Sequence, residues 1–136
     1  MRVVMKETVL ILTDAFPPNI GGVESHLYDL CKYLAESDHR VFVVTYQPIT
    51  TKAKGLKVER RKNLEIHRMQ WFGYNLYPKL ESYPILLFLY EFPGLFVSSL
   101  FFLLKRRKEV DVIHAQGLIT GYITKILVKI FKKRCV

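Results

Sequence analysis

The residues of this 136-residue chain whose types and spacing could do chemistry lie in two stretches, "FPPNIGGVESHLYDLCKYLAES" at 16–37 and "DVIHAQG" at 111–117. In the first, Gly21 and Gly22 stand directly ahead of a helical pattern whose first turns carry Glu24 and His26. A helix N-terminus offers unpaired N–H groups and a partial positive charge, which suits a phosphate. Glycine belongs there because no Cβ holds a diphosphate away from the backbone. Turn geometry alone is the competing explanation, since the stretch holds neither a Gly-x-Gly-x-x-Gly fingerprint nor a P-loop. Glu24 suits the helix dipole whether or not a ligand is present, and His26 is either a ligand-facing or a plainly solvated first-turn histidine. His114 closes a strand at its carboxyl end, with a satisfied structural role as its alternative. Gln116 can orient a hydroxyl but has no titratable proton near neutral pH, so it cannot act as a base.

These residues need elements to position them. "TVLILT" (8–13) is a continuous β-branched and aliphatic run, the pattern of a strand covered on both faces. Val23, Leu27, Leu30, Cys31 and Leu34 then trace one face of a helix. "HRVFVVTY" (39–46) reads as a second buried strand after a short connection. Strand, helix, strand with short joins is a βαβ unit, which implies a parallel sheet and a right-handed crossover. A basic loop follows from Gln47 to Asn63 with a small strand near "LKVER", then a strand at 64–70, a strand at 111–117 and a helix at 118–134. "RCV" at the end reads as the first step into another strand. The expected fold class is α/β, a Rossmann-like open parallel sheet with helices on both faces.

The middle segment, "YPILLFLYEFPGLFVSSLFFLLKRRK" (83–108), is apolar for long enough to span a bilayer and ends in four cations. Glu91 near its centre and Pro93-Gly94 argue against a span. Two shorter helices, one docked on the sheet and one touching lipid, are expected instead. Lys105, Arg106, Arg107 and Lys108, with Lys125, Lys129, Lys132 and Lys133 on one side of the last helix, form a cationic surface beside the apolar residues. An apolar wedge with cations describes a monotopic contact with anionic lipids; a solvated helix face is the alternative.

The stretch at 16–46 resembles the N-terminal signature of glycosyltransferase family 4, the retaining GT-B enzymes, in which a Pro-Pro loop leads to Gly-Gly-Val-Glu, a histidine and a helix. "DVIHAQG" resembles a later strand of the same domain, where many members carry a second histidine in place of Gln116. The resemblance implies that residues 1–136 are the N-terminal, acceptor-side half of a GT-B fold, incomplete and lacking the donor-binding domain, with 84–108 as a membrane-contact segment. It implies that the backbone at Gly21 and Gly22 faces the diphosphate of a nucleotide-sugar such as a UDP- or GDP-sugar, that Glu24 and His26 meet the acceptor, and that His114 and Gln116 lie near the reacting sugar. The departure at Gln116 argues against a strict histidine-base mechanism and is tolerated if the leaving diphosphate assists deprotonation. No Asp-x-Asp occurs and no metal or cofactor is implied. A lipid or lipid-linked acceptor, and a separate chain carrying the donor-binding domain, are the expected partners, and the chain alone is expected not to turn over.

Composition frames the alternatives. Lys and Arg number 21 against 12 Asp and Glu, a formal charge of +9, which favours an anionic partner. Nucleic acid is disfavoured because no RRM-type aromatic signature or helix-turn-helix pattern occurs. A non-catalytic, membrane-associated interaction protein retaining the fold is the remaining rival. Two cysteines make no disulfide framework, and Cys31 on the apolar stripe reads as a buried free thiol. The N-terminus lacks a convincing signal peptide, so the cytoplasm or the cytoplasmic face of a membrane is the expected location.

Overall fold

The computed structural model describes residues 6–13, 16, 22–46, 57–69, 80 and 82–135, with only the backbone at 22–24. The elements run β1 (Thr8–Thr13), α1 (Gly22–Glu36), β2 (Arg40–Tyr46), β3 (Val58–Arg61), β4 (Leu64–Met69), α2 (Pro84–Arg106), β5 (Val112–Gln116), α3 (Leu118–Phe131) and β6 (Arg134–Cys135). They build one six-stranded sheet in the order β3-β4-β2-β1-β5-β6. All neighbouring pairs are parallel except β3 with β4, which is an antiparallel hairpin at the edge. The chain leaves β1 toward β2 and later returns to β5 on its other side. Right-handed crossovers in opposite directions place their helices on opposite faces, which gives the doubly wound arrangement. The expected α/β open parallel sheet is what forms.

Side chains alternate across each strand, so each strand supplies two cores. Ile11, Val41, Val43, Leu64 and Ile66 pack with Leu27 and Cys31 of α1 and with Phe16. Leu10, Leu12, Phe42, Val44, Tyr46 and Ile113 face the other way, against Leu95, Phe102 and Leu103 of α2 and Ile123 and Leu127 of α3. Cys31 is fully buried, and that burial lifts its thiol to about 12.

Where two short helices were expected in the middle segment, one helix runs unbroken through Pro93. The reason lies in Tyr46 at the end of β2. Its hydroxyl accepts the Leu95 N–H at 2.8 Å and donates to the Glu91 carbonyl. In a regular helix those two backbone groups would bond each other. Here a side chain from the sheet stands between them, so the turn around Pro93 is opened and its polar groups still find partners. Gly94 makes room: a Cβ there would lie 2.5 Å from the Tyr46 hydroxyl and 2.8 Å from Met69 Cε. α2 is long and apolar enough to cross a membrane, yet 33% of its most apolar window is buried within the protein.

α3 stops at Phe131, three residues earlier than expected. Lys132 adopts a left-handed conformation (φ 55°) and its N–H returns to the Val128 carbonyl, a helix-ending turn. The chain is thereby released into β6, where Arg134 and Cys135 pair with Val112 and Ile113.

Candidate functional site

In a parallel sheet the carboxyl ends of the strands share one edge, and the crevice between β1 and β5, where the crossovers diverge, is the place for a ligand. Thr13 and Gln116 sit side by side there, two residues beyond the pair Ile11 and His114. His114 and Gln116 are two residues apart, so they share a face, and the register with Ile11 makes it the α1 face. α1, the next element after β1, begins at Gly22, and α3 begins at Leu118, directly after Gly117. Two helix N-termini therefore open onto one crevice.

Gly117 holds this turn with φ 110° and ψ 166°, a region essentially restricted to glycine. Thr120 secures it by donating its hydroxyl to the carbonyls of Gln116 at 2.7 Å and Gly117 at 3.0 Å. The carbonyl end of Gln116 is thus tied back into α3.

His114 is half-buried, and burial pulls its imidazole below the ordinary value of 6.5. The nearby His26 pushes in the same direction, and a side-chain hydrogen bond with Gln116 opposes them. His114 is therefore neutral near pH 7 and able to accept a proton. His26, exposed on α1, is close enough to be felt by His114, so three of the sequence-derived site residues gather at one crevice. Gly22 is the first residue of α1, as a helix-start glycine should be. Gly21 and the Glu24 side chain lie outside the described residues. Among the described residues, no three His, Cys, Asp or Glu side chains come together to hold a metal ion.

The basic residues are divided. Lys105, Arg107 and Lys108 are exposed at the end of α2, and Lys125 and Lys129 are exposed on α3. Arg106 turns inward instead, over the rings of Phe42 and Phe102 at 5.1 and 5.8 Å, and pairs with Glu65 and Glu109. Exposed apolar side chains run the length of both helices, including Ile85, Leu86, Leu89, Phe101 and Leu104 on α2 and Leu118, Tyr122, Ile126 and Ile130 on α3.

Sequence reasoning missed the group around His67. Its Nε2 lies 3.0 Å from Glu65 Oε1, and Arg60 and Arg106 reach the same carboxylate. Burial raises the Glu65 carboxyl, but Arg106, His67 and Arg60 outweigh it and hold the group below its ordinary value. Burial pulls His67 down against the opposing pull of Glu65. The alternation of "LEIHRM" places Glu65 and His67 on one face, but nothing local in it announces Arg106 about forty residues on.

A stretch of 38 residues is 47% identical to a component of the Homo sapiens phosphatidylinositol N-acetylglucosaminyltransferase, covering 28% of this chain and 8% of that protein. The Arabidopsis thaliana protein of the same name is 46% identical over 41 residues, 30% of this chain and 9% of its own length. The aligned stretch is thus less than a tenth of either relative. Among solved structures, sucrose-phosphate synthase from Thermosynechococcus elongatus superposes with a TM-score of 0.65 over 96% of this chain and 32% of that one, at 14% identity, a likeness of fold. The model of Glycosyltransferase Family 4 matches residues 20–136, which takes in α1, the β1–β5 crevice's histidines and everything after them. The chain belongs to Glycosyltransferase Family 4.

Proposed function

We propose that this chain is the acceptor-side domain of a nucleotide-sugar-dependent glycosyltransferase that passes a hexose or N-acetylhexosamine to a lipid or lipid-linked acceptor at the cytoplasmic face of a membrane. The observation that carries the reading is the meeting of His26, His114 and Gln116 at the β1–β5 crevice, between two helix N-termini. The amides at Gly21 and Gly22 face the donor diphosphate, and helix-terminus charge stabilises the negative charge that develops on it. Glu24 and His26 meet the acceptor. His114, neutral near pH 7, accepts a hydrogen bond from the acceptor hydroxyl, Gln116 orients it, and the departing diphosphate takes the proton. The donor is a UDP- or GDP-sugar; neither a cofactor nor nucleic acid enters the reaction. A donor-binding domain, in a longer polypeptide or a separate chain, completes the site, and residues 1–136 by themselves do not turn over.

The membrane part of the reading rests on α2 and α3. Both run antiparallel to the strands, so their exposed apolar side chains form a ridge from the crevice edge to the opposite edge, flanked by Lys105, Arg107, Lys108, Lys125 and Lys129. Laid flat on an anionic bilayer, this ridge holds the crevice at the lipid surface.

The decisive experiment is transfer of radiolabelled sugar from a UDP- or GDP-donor to extracted lipid, by residues 1–136 alone and with a donor-binding domain supplied. Turnover is expected only with the second domain, and His114→Ala should reduce it by about 10²-fold. Undiminished turnover in a His114→Ala/Gln116→Ala double variant sinks the site assignment and favours a non-catalytic interaction protein. For the membrane contact, Leu89→Ser/Phe101→Ser should abolish sedimentation with acidic liposomes; unchanged sedimentation overturns it.

A further inference from the structure

A cavity of about 280 Å³ lies away from the β1–β5 crevice, between the C-terminal half of α2 and the β4 side of the sheet. Ser98, Phe102, Lys105 and Arg106 enter it at helical spacing from α2, and Val44 and His67 enter it from β2 and β4. We propose that this cavity binds the phosphoryl group of a phosphomonoester or phosphodiester.

Three features carry the assignment. Arg106 is held in place by its stacking over Phe42 and Phe102, yet its guanidinium reaches Glu65 and Glu109 only at 3.5 and 3.6 Å, beyond ordinary hydrogen-bond length. A planar cation fixed by aromatic rings and short of close acceptors is prepared for bidentate contact with an oxyanion. Lys105 is exposed beside it and makes no ion pair among the described residues, and Ser98 adds a hydroxyl from about two helical turns away. The local charge balance also favours an anion. Arg60 and Arg106 share one carboxylate, Glu65, Lys105 lines the cavity without a carboxylate of its own among the described residues, and Glu109 is shared with Arg40 on the far side. The cavity has the volume of about nine waters, enough for a tetrahedral oxyanion that keeps part of its hydration.

The phosphoryl group could be free or carried by a lipid headgroup, since Phe101, which also lines the cavity, belongs to the exposed apolar ridge. The two sources are separated by titrating the chain with inorganic phosphate at constant ionic strength, and in parallel with phosphatidylcholine vesicles doped with phosphatidic acid. Nuclear magnetic resonance shifts of the residue 98–106 amides and the His67 ring report the first, and sedimentation the second. Saturation by inorganic phosphate assigns a free phosphate; saturation by phosphatidic acid that exceeds that by vesicles carrying oleate at the same surface charge assigns a headgroup, and equal saturation by the two vesicles without a phosphate response overturns the proposal. Lys105→Gln should weaken whichever binding is seen by about tenfold, the loss of one charged hydrogen bond. Lys125→Gln on α3 removes the same charge outside the cavity and should change the inorganic-phosphate response, or the preference for phosphatidic acid over an equal non-phosphate charge, less than about twofold. Equal effects of the two variants, or no saturable response to either probe, overturn the proposal. Neither probe contains a sugar, so the outcome is independent of the sugar-transfer reading.

Discussion

The two edges of the sheet are built from similar residues and use them in opposite ways. At the amino edge the polar groups are consumed internally. The Thr8 N–H donates to Asp111 Oδ2 at 2.9 Å, the Glu7 N–H to His39 Nδ1 at 3.1 Å, and the Glu7 carboxylate receives Arg134. Arg40 pairs with Glu109, and Lys6 with Asp38. At the carboxyl edge the described residues show a half-buried neutral histidine, an amide side chain, a glycine-only turn and two helix starts. The first edge fastens separate segments to one another; the second presents groups toward a crevice. Charge pairs and ligand sites thus draw on the same chemistry, and what separates them is whether a partner lies within the fold.

The comparison would break first if the crevice did not depend on the helix beneath it. Leu27 is fully buried one residue after His26. Leu27→Ala should cost about 2–5 kcal/mol in urea unfolding, the usual range for a buried leucine, and should shift the His26 and His114 resonances. Leu103→Ala, on the other face, should cost a similar amount while leaving those resonances in place. Next in size is Gly117→Ala. The only atom near an added Cβ is Thr120 Oγ1 at 3.5 Å, so the penalty is conformational and should be about 1–3 kcal/mol. Gly121→Ala, in open space within α3, supplies the control and should stabilise by up to about 1 kcal/mol. Equal effects at 117 and 121 would remove the argument that the carboxyl-edge turn is strained.

Much of this architecture is legible from local pattern. The β-branched runs of β1 and β2 and the spacing of Leu27, Cys31 and Leu34 are properties of short windows, and the βαβ unit follows from them. Gly22 at a helix start and Gln116 at a strand end place the crevice once a parallel sheet is granted; His114, expected to close the strand, stands instead at the middle of β5. The continuity of α2 was not legible, because Pro93 reads as a break unless one knows that the Tyr46 hydroxyl arrives to bridge the opened turn. The Glu65–His67–Arg106 group was hidden for the same reason. Both are contacts made by the folded topology, across intervals no sequence window covers. The end of α3 was misplaced because lysines continue past Phe131 with good helix propensity, and only pairing of β6 pulls the chain away.

Acid should act on the two half-buried histidines, His114 and His67. His114 and His67 are both held below the ordinary value of 6.5, chiefly by burial. Above pH 6.5 both are neutral folded or unfolded and contribute no pH dependence. As pH falls through that value the unfolded chain takes up protons that the folded chain resists, so stability declines. Glu65, held below its ordinary 4.5, adds stability that is lost only at lower pH still, as the folded carboxyl is finally protonated. Urea midpoints measured from pH 7.5 downward should therefore fall in two stages. His114→Gln should flatten part of the first stage and leave the second; an unchanged first stage would place that histidine in water rather than at a half-buried crevice.

The smallest effect belongs to the amino edge itself. Arg40 and Glu109 lie 3.3 Å apart, but 46% and 43% of the two side chains is exposed. Such a pair is worth about 0.2–1 kcal/mol, because water screens the charges and two long side chains must be held still. Arg40 also covers the Phe42 ring at 4.7 Å, a contact that salt does not screen in the same way. Arg40→Gln should therefore cost no more than about 1 kcal/mol at low salt, with only part of that cost surviving high salt. The His114 titration should be identical in the variant and the parent, since Arg40 is at the opposite end of the strands. A shifted His114 would mean that the edges communicate through the sheet, and the division between a fastening edge and a presenting edge would have to be abandoned.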